Sequence, residues 1–272
     1  MNRIFILIIT LFVFGCEKPN ENFISNEQNA PLVEVDDRDL EEFCATGSLC
    51  SDHIWNENGK TWLWGGYREN MHFEITSWQL NGENLRSGLG RETIVSLVNP
   101  QFIPKTDLTF EVSDNQQAII LYENPIPKVF TLDALKQHEV VNTMFGNEAI
   151  MVTYCQLADY ASVLKRNYCN KDLTFAASGY TFSEQFIYEG KQGFVLWDRD
   201  TESLWWPLTN KGVSGTMLNQ TMQNLNSNFW GIKTISEIES IFGENYIMLK
   251  PYQDLEISSE LAHLIALGGN CE

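Results

Sequence analysis

Cys155 and His138 are the residue types in this chain that come closest to a reactive pair. They close the two ends of a stretch, residues 138–155, that reads as a β-hairpin. If Gly146 and Asn147 form a two-residue turn, Phe145 faces Glu148, and the same register carried outward sets His138 across from Cys155. Directly opposed Cβ atoms lie about 5 Å apart. At that distance an imidazole lowers a thiol pKa, giving a Cys155 nucleophile with His138 as base, or two ligands of a metal site. A slip of one residue would send the two side chains to opposite faces. The same residues also fit a small buried cysteine and an ordinary hydrogen-bonded histidine at a strand end. His138-Glu139 opens like the zinc-protease motif, but Asn142 stands where the second His must be, so that chemistry is excluded.

The second constellation is Asp198, Arg199, Asp200, Thr201, Glu202 and Ser203, a charged loop between the aromatic strands that carry Trp197 and Trp205. A guanidinium beside two indoles makes a platform for an anionic or planar ligand, whereas a charged turn between apolar strands is also simply a good hairpin. Asp198 and Glu202 have the types of a glycosidase pair, but their separation cannot be read from sequence. The candidate ligand-contacting residues are therefore Glu139, Asn142, Asp198, Arg199, Glu202, Ser203 and Trp205. Other motifs fail. Ser162 and Lys165 fit Ser-x-x-Lys at chance level without companion motifs, and Gly88-Leu89-Gly90 lacks the third Gly of a dinucleotide loop. Ser178-Gly179 has no nucleophile elbow around it.

The elements that must position these residues are short and β-rich. Val, Ile, Thr and aromatic runs occur at 61–64, 72–76, 94–98, 118–122, 148–154, 173–176, 193–197 and 202–206. One helix is expected from Thr234, with Glu237 completing a capping box, to Gly243, and another over 259–267. The fold class is α+β, a predominantly antiparallel β domain with a few short helices.

The chain has 272 residues, 43% of them hydrophobic, with 18 Lys+Arg against 36 Asp+Glu. That composition fits a folded domain, and a net charge of −18 excludes a nucleic-acid partner, which needs clustered cations. Residues 1–15 read as a signal peptide: Arg3 is followed by an apolar run too short to span a membrane. Val13-Phe14-Gly15-Cys16 resembles the lipobox of bacterial lipoproteins, which implies a lipid on Cys16 as membrane anchor. By the same resemblance Glu17, in place of Asp, points to the outer membrane of a diderm bacterium. Residues 16–60 then form the anchor and an acidic tether with a Cys44–Cys50 loop, and residues 61–272 a single globular domain. Six cysteines without zinc-finger spacing argue against a structural zinc.

Taken together, residues 69–252 resemble the bacterial domain-of-unknown-function 3179 family. The segments that carry the resemblance are 90–102, His138 to Asn142, Val152 to Cys155, Phe175 to Gly179 and Trp197 to Trp205. That family usually has a second Cys three residues after the first, where this chain has Ala158. The resemblance implies no established activity, and the cofactor is unknown. The expected function is an envelope lipoprotein binding a small ligand or metal in a cleft of His138, Cys155 and the Asp198 to Trp205 hairpin. The alternatives are a Cys155-dependent enzyme, or a structural or partner-binding lipoprotein with its Trp side chains in an interface.

Overall fold

A computed structural model describes residues 53–66, 69–87 and 90–251. Cys16, the Cys44–Cys50 loop and the helix expected over 259–267 lie outside the described residues.

The hairpin around Gly146 forms in the register read from its turn. Its strands, Val140–Phe145 and Glu148–Cys155, pair from Phe145 with Glu148 to Val140 with Thr153. Tyr160–Lys165 adds on one side, antiparallel, and the short Leu97–Val98 adds on the other, parallel, to make a four-stranded middle sheet. A front sheet of five strands runs in the order Lys211–Gly212, Leu204–Trp206, Gly193–Asp198, Phe175–Phe182, Leu85–Ser87, all antiparallel. A back sheet has the order Trp230–Thr234, Gln117–Leu121, Lys128–Thr131, Ile247–Leu249, Phe102–Pro104. Ile54–Glu57, ahead of residue 61, begins a smaller three-stranded sheet with Lys60–Leu63 and Phe73–Glu74.

Alternation along the strands sorts their side chains into layers. Met151 and Cys155 point with Val140 into a core shared with Phe175, Trp197 and Trp205 of the front sheet. Ile150, Val152 and Tyr154 point the other way, against Ile119 and Phe130 of the back sheet. The far face of that sheet, with Ala118, Ile120 and Val129, is covered by Ile235 and Ile238. Burying each large side chain in these layers contributes on the order of 2–3 kcal/mol.

The described residues contain two short α-helices, so the fold is mostly antiparallel β with little helix. Helix α1 (Leu132–His138) was not expected, although Thr131 caps it by accepting from the Ala134 N–H and Lys136 and His138 occupy its last turn. Helix α2 (Ile235–Phe242) carries the expected capping box of Thr234 and Glu237.

Candidate functional site

Asp198 ends the Gly193–Asp198 strand with its side chain wholly buried. Its Oδ1 accepts from the N–H groups of Thr201 (2.6 Å) and Asp200 (3.2 Å), and its Oδ2 from Thr201 Oγ1 and Trp205 Nε1 (both 2.7 Å). Four donors on one carboxylate fold the loop back onto itself, as Asx turns do. Burial outweighs them and raises the Asp198 pKa to about 6. Ser203 Oγ accepts from the Met217 N–H, which fastens the loop to the next turn of chain. Asp198, Ser203 and Trp205 are therefore used in building the loop.

What the loop presents is Arg199 and Glu202, and both reach a strap formed by residues 90–99. Arg199 makes a two-point ion pair with Glu92 (Nε to Oε1 2.6 Å, second nitrogen to Oε2 2.8 Å) and touches Ser96 Oγ at 3.2 Å. Glu202 accepts from Arg91 at 2.5 Å. Arg91 is 4% exposed, stacked 4.4 Å over the Trp197 ring and 5.3 Å over the Phe73 ring, and it also donates to the Asn70 carbonyl. The same guanidinium adds to burial in holding the His72 pKa down at about 4. Two consecutive residues of opposite charge thus meet two residues of opposite charge on the loop.

The middle sheet grips the strap from the other side. His138 Nδ1–H donates to the Val95 carbonyl at 2.8 Å. Asn142, 1% exposed, donates to the Leu97 and Phe175 carbonyls (3.1 and 2.8 Å) and accepts from the Phe175 N–H at 2.8 Å, joining middle sheet, strap and front sheet. Gly179, at φ +82°, lets the strap approach closely, because a Cβ there would lie 2.3 Å from the Gly90 oxygen. His138, Asn142, Arg199 and Glu202 are brought together, but around protein groups. Arg91, Glu92 and Ser96 are the partners that sequence reasoning missed; both segments run from base to acid, an order that pairs when they meet antiparallel, and this was the available signal.

His138 and Cys155 are not opposed, contrary to the register extrapolated from the hairpin. The ladder stops at Val140 with Thr153, because His138 is the last residue of α1 and Glu139 turns the chain at φ +53°. The Glu139 carbonyl accepts from Thr153 Oγ1 (2.6 Å) and the Tyr154 N–H (3.1 Å) in place of regular pairing. Cys155 pairs instead with Tyr160, on the opposite side. It is a free thiol, 1% exposed, whose sulfur lies against the N–H groups of Ala158, Phe194 and Leu157. Burial pushes its pKa up and that of His138 down.

Two ionisable side chains, Glu139 and His138, meet at this corner. The Glu139 carboxyl, part-buried beside Cys155, makes no hydrogen bond or ion pair among the described residues, and burial raises its pKa to about 7. His138 Nε2 is likewise buried without a partner. Around the corner stand exposed apolar side chains: Leu157 on the turn after Cys155, and Phe186 and Tyr188 on the loop before Gly193. Tyr188 packs edge-on against Tyr160, with ring centroids 5.3 Å apart. Among the described residues no three His, Cys, Asp or Glu side chains gather as a metal site requires, and no Trp is exposed.

Searches of curated proteins and of solved structures returned no match. The model of the family described as "Protein of unknown function (DUF3179)" matches residues 91–238. Its match begins at Arg91 and takes in both sides of the strap's ion pairs, His138 to Asn142, and Cys155. Since this is more than half of the 272 residues, the chain belongs to the DUF3179 family.

Proposed function

We propose that this protein is a lipoprotein of the cell envelope, held at the outer membrane by a lipid on Cys16, whose domain binds a small ligand at the corner of Glu139 and Cys155. The side chains of Asn142, Asp198, Arg199, Glu202, Ser203 and Trp205 are engaged with protein groups. The Glu139 carboxyl and the His138 Nε2 are not. A ring nitrogen kept buried without a partner lowers stability, and such groups concentrate where ligands bind. The positive φ at Glu139, a cost of about 1–3 kcal/mol for a non-glycine residue, supports the same reading. The buried, unpartnered His138 Nε2 is the observation that carries this reading.

A metal lacks a third ligand among the described residues, and His138, engaged at Nδ1 with the Val95 carbonyl, does not pair with Cys155 on the hairpin, so ligand binding is the reading that the geometry favours. The corner must then open to small molecules without global unfolding. Methyl methanethiosulfonate, a small thiol reagent, is expected to label Cys155 in the native protein at pH 8 faster than the protein unfolds, while a bulky maleimide labels it slowly. Labelling by both reagents at the global unfolding rate would refute a ligand site here.

A further inference from the structure

The hydrogen bond that His138 makes defines the one it lacks. Its Nδ1 lies 2.8 Å from the Val95 carbonyl oxygen, and a carbonyl can only accept, so Nδ1 carries a proton. The side chain is 5% exposed, and burial keeps the imidazole neutral, so Nε2 is a bare lone pair with no hydrogen-bond partner. Turning the ring to seek a donor would give up the Val95 bond. The backbone cannot shift either, because His138 ends α1, where the Glu139 N–H donates to the Leu135 carbonyl and the Glu139 carbonyl accepts from Thr153 Oγ1 and the Tyr154 N–H. The buried indoles of Trp197 and Trp206 also lack partners, but they are donors within the apolar core. His138 Nε2 is an acceptor held in place on a ring whose other nitrogen is already used.

We infer that the ligand of this corner is a small neutral molecule that donates an N–H or O–H to His138 Nε2. This rests on the ligand-binding reading above. Carboxylates, phosphates, ethers and ketones bring lone pairs to face a lone pair and leave the buried acceptor unmet. A charged donor would give up hydration that so buried a site does not replace. The neutral protic class is the one that meets the acceptor without either cost.

The test is NMR of the histidine ring nitrogens in the mature protein at pH 8, titrated with n-butanol and with diethyl ether, isomers of which only the alcohol carries a donor. In the free protein the histidine whose signals vanish in His138→Asn is expected to show a protonated Nδ1 and an unprotonated Nε2. Butanol should move that Nε2 resonance saturably and bind at least about tenfold tighter than the ether, as expected for one hydrogen bond to a buried acceptor. Asparagine can keep the donor to Val95 but has no Nε2, so His138→Asn should bring the two isomers level; if that variant does not fold, the comparison of isomers on the unaltered protein decides. Equal binding of the isomers, binding of neither, or a protonated Nε2 in the free protein would overturn the assignment. Native-state labelling of Cys155 separates the two failures: if the small reagent labels while the isomers bind equally, the corner opens but the ligand class is wrong, and if it labels only at the global unfolding rate, the ligand site itself is refuted.

Discussion

Burial moves the carboxyls of Glu139 and Asp198 in the same direction, but their company differs. Asp198 is surrounded by donors that need its negative charge, while Glu139 faces none. The consequence for stability follows from linkage. Burial raises the Glu139 pKa to about 7 from the ordinary carboxyl value of 4.5, so the folded state holds its proton more tightly. The penalty is absent below the unfolded pKa, grows as pH rises from there, and is complete above about pH 7. Its ceiling is about 3 kcal/mol. Glu139→Gln is therefore expected to raise stability by up to that amount at pH 8 and by nothing near pH 4. Urea unfolding of both proteins across that range checks it; a gain independent of pH would mean that the side chain acts through shape and not charge.

At the scale of elements, the strap and the Asp198 loop hold each other by charge order. Glu92 and Arg199 are 30% and 32% exposed, so screening limits the pair to a modest contribution. Glu92→Arg and Arg199→Glu should each lose about 2 kcal/mol by setting like charges together, and the double exchange should regain more than half of the summed loss. Purely additive losses in a double-mutant cycle would show that the pair is not coupled. This level also separates what was legible from what was not. The register from Val140 to Phe145 was readable because a two-residue turn and period-two alternation leave few choices. Where the ladder ends was not, because seven-residue α1 is too short for helical periodicity to announce itself and so His138 passed for strand. The loop at Asp198 was visible as a charged hairpin. Its partners were hidden, since sequence displays the charges of Arg91 and Glu92 but not that they meet Glu202 and Arg199, 111 and 107 residues further on.

For the molecule as a whole, those separations matter more than any single bond. Front sheet and middle sheet are joined across the strap by Asn142, Arg199 and Arg91, and the front sheet gains its central Gly193–Asp198 strand only late in the chain. A chain ending at residue 190 keeps the strap and the middle sheet but lacks that strand and the Asp198 loop. Such a fragment is expected to be cut by a nonspecific protease at rates typical of an unfolded chain; comparable resistance in the fragment and the full chain would show that the strap closes without its loop.

The long reach of the strap also sets a timetable. Residues leave the ribosome at about 5–20 per second, so Arg91 and Glu92 emerge about 5–20 s before their partners exist. During that interval the two halves of the sandwich have nothing to lock them, and the half-made chain carries its apolar strands unsealed. A protein built this way reaches its final form only after nearly all of it has been made. That order suits a chain kept open by a chaperone until synthesis is done, and it makes the last third of the sequence the part on which the first third waits.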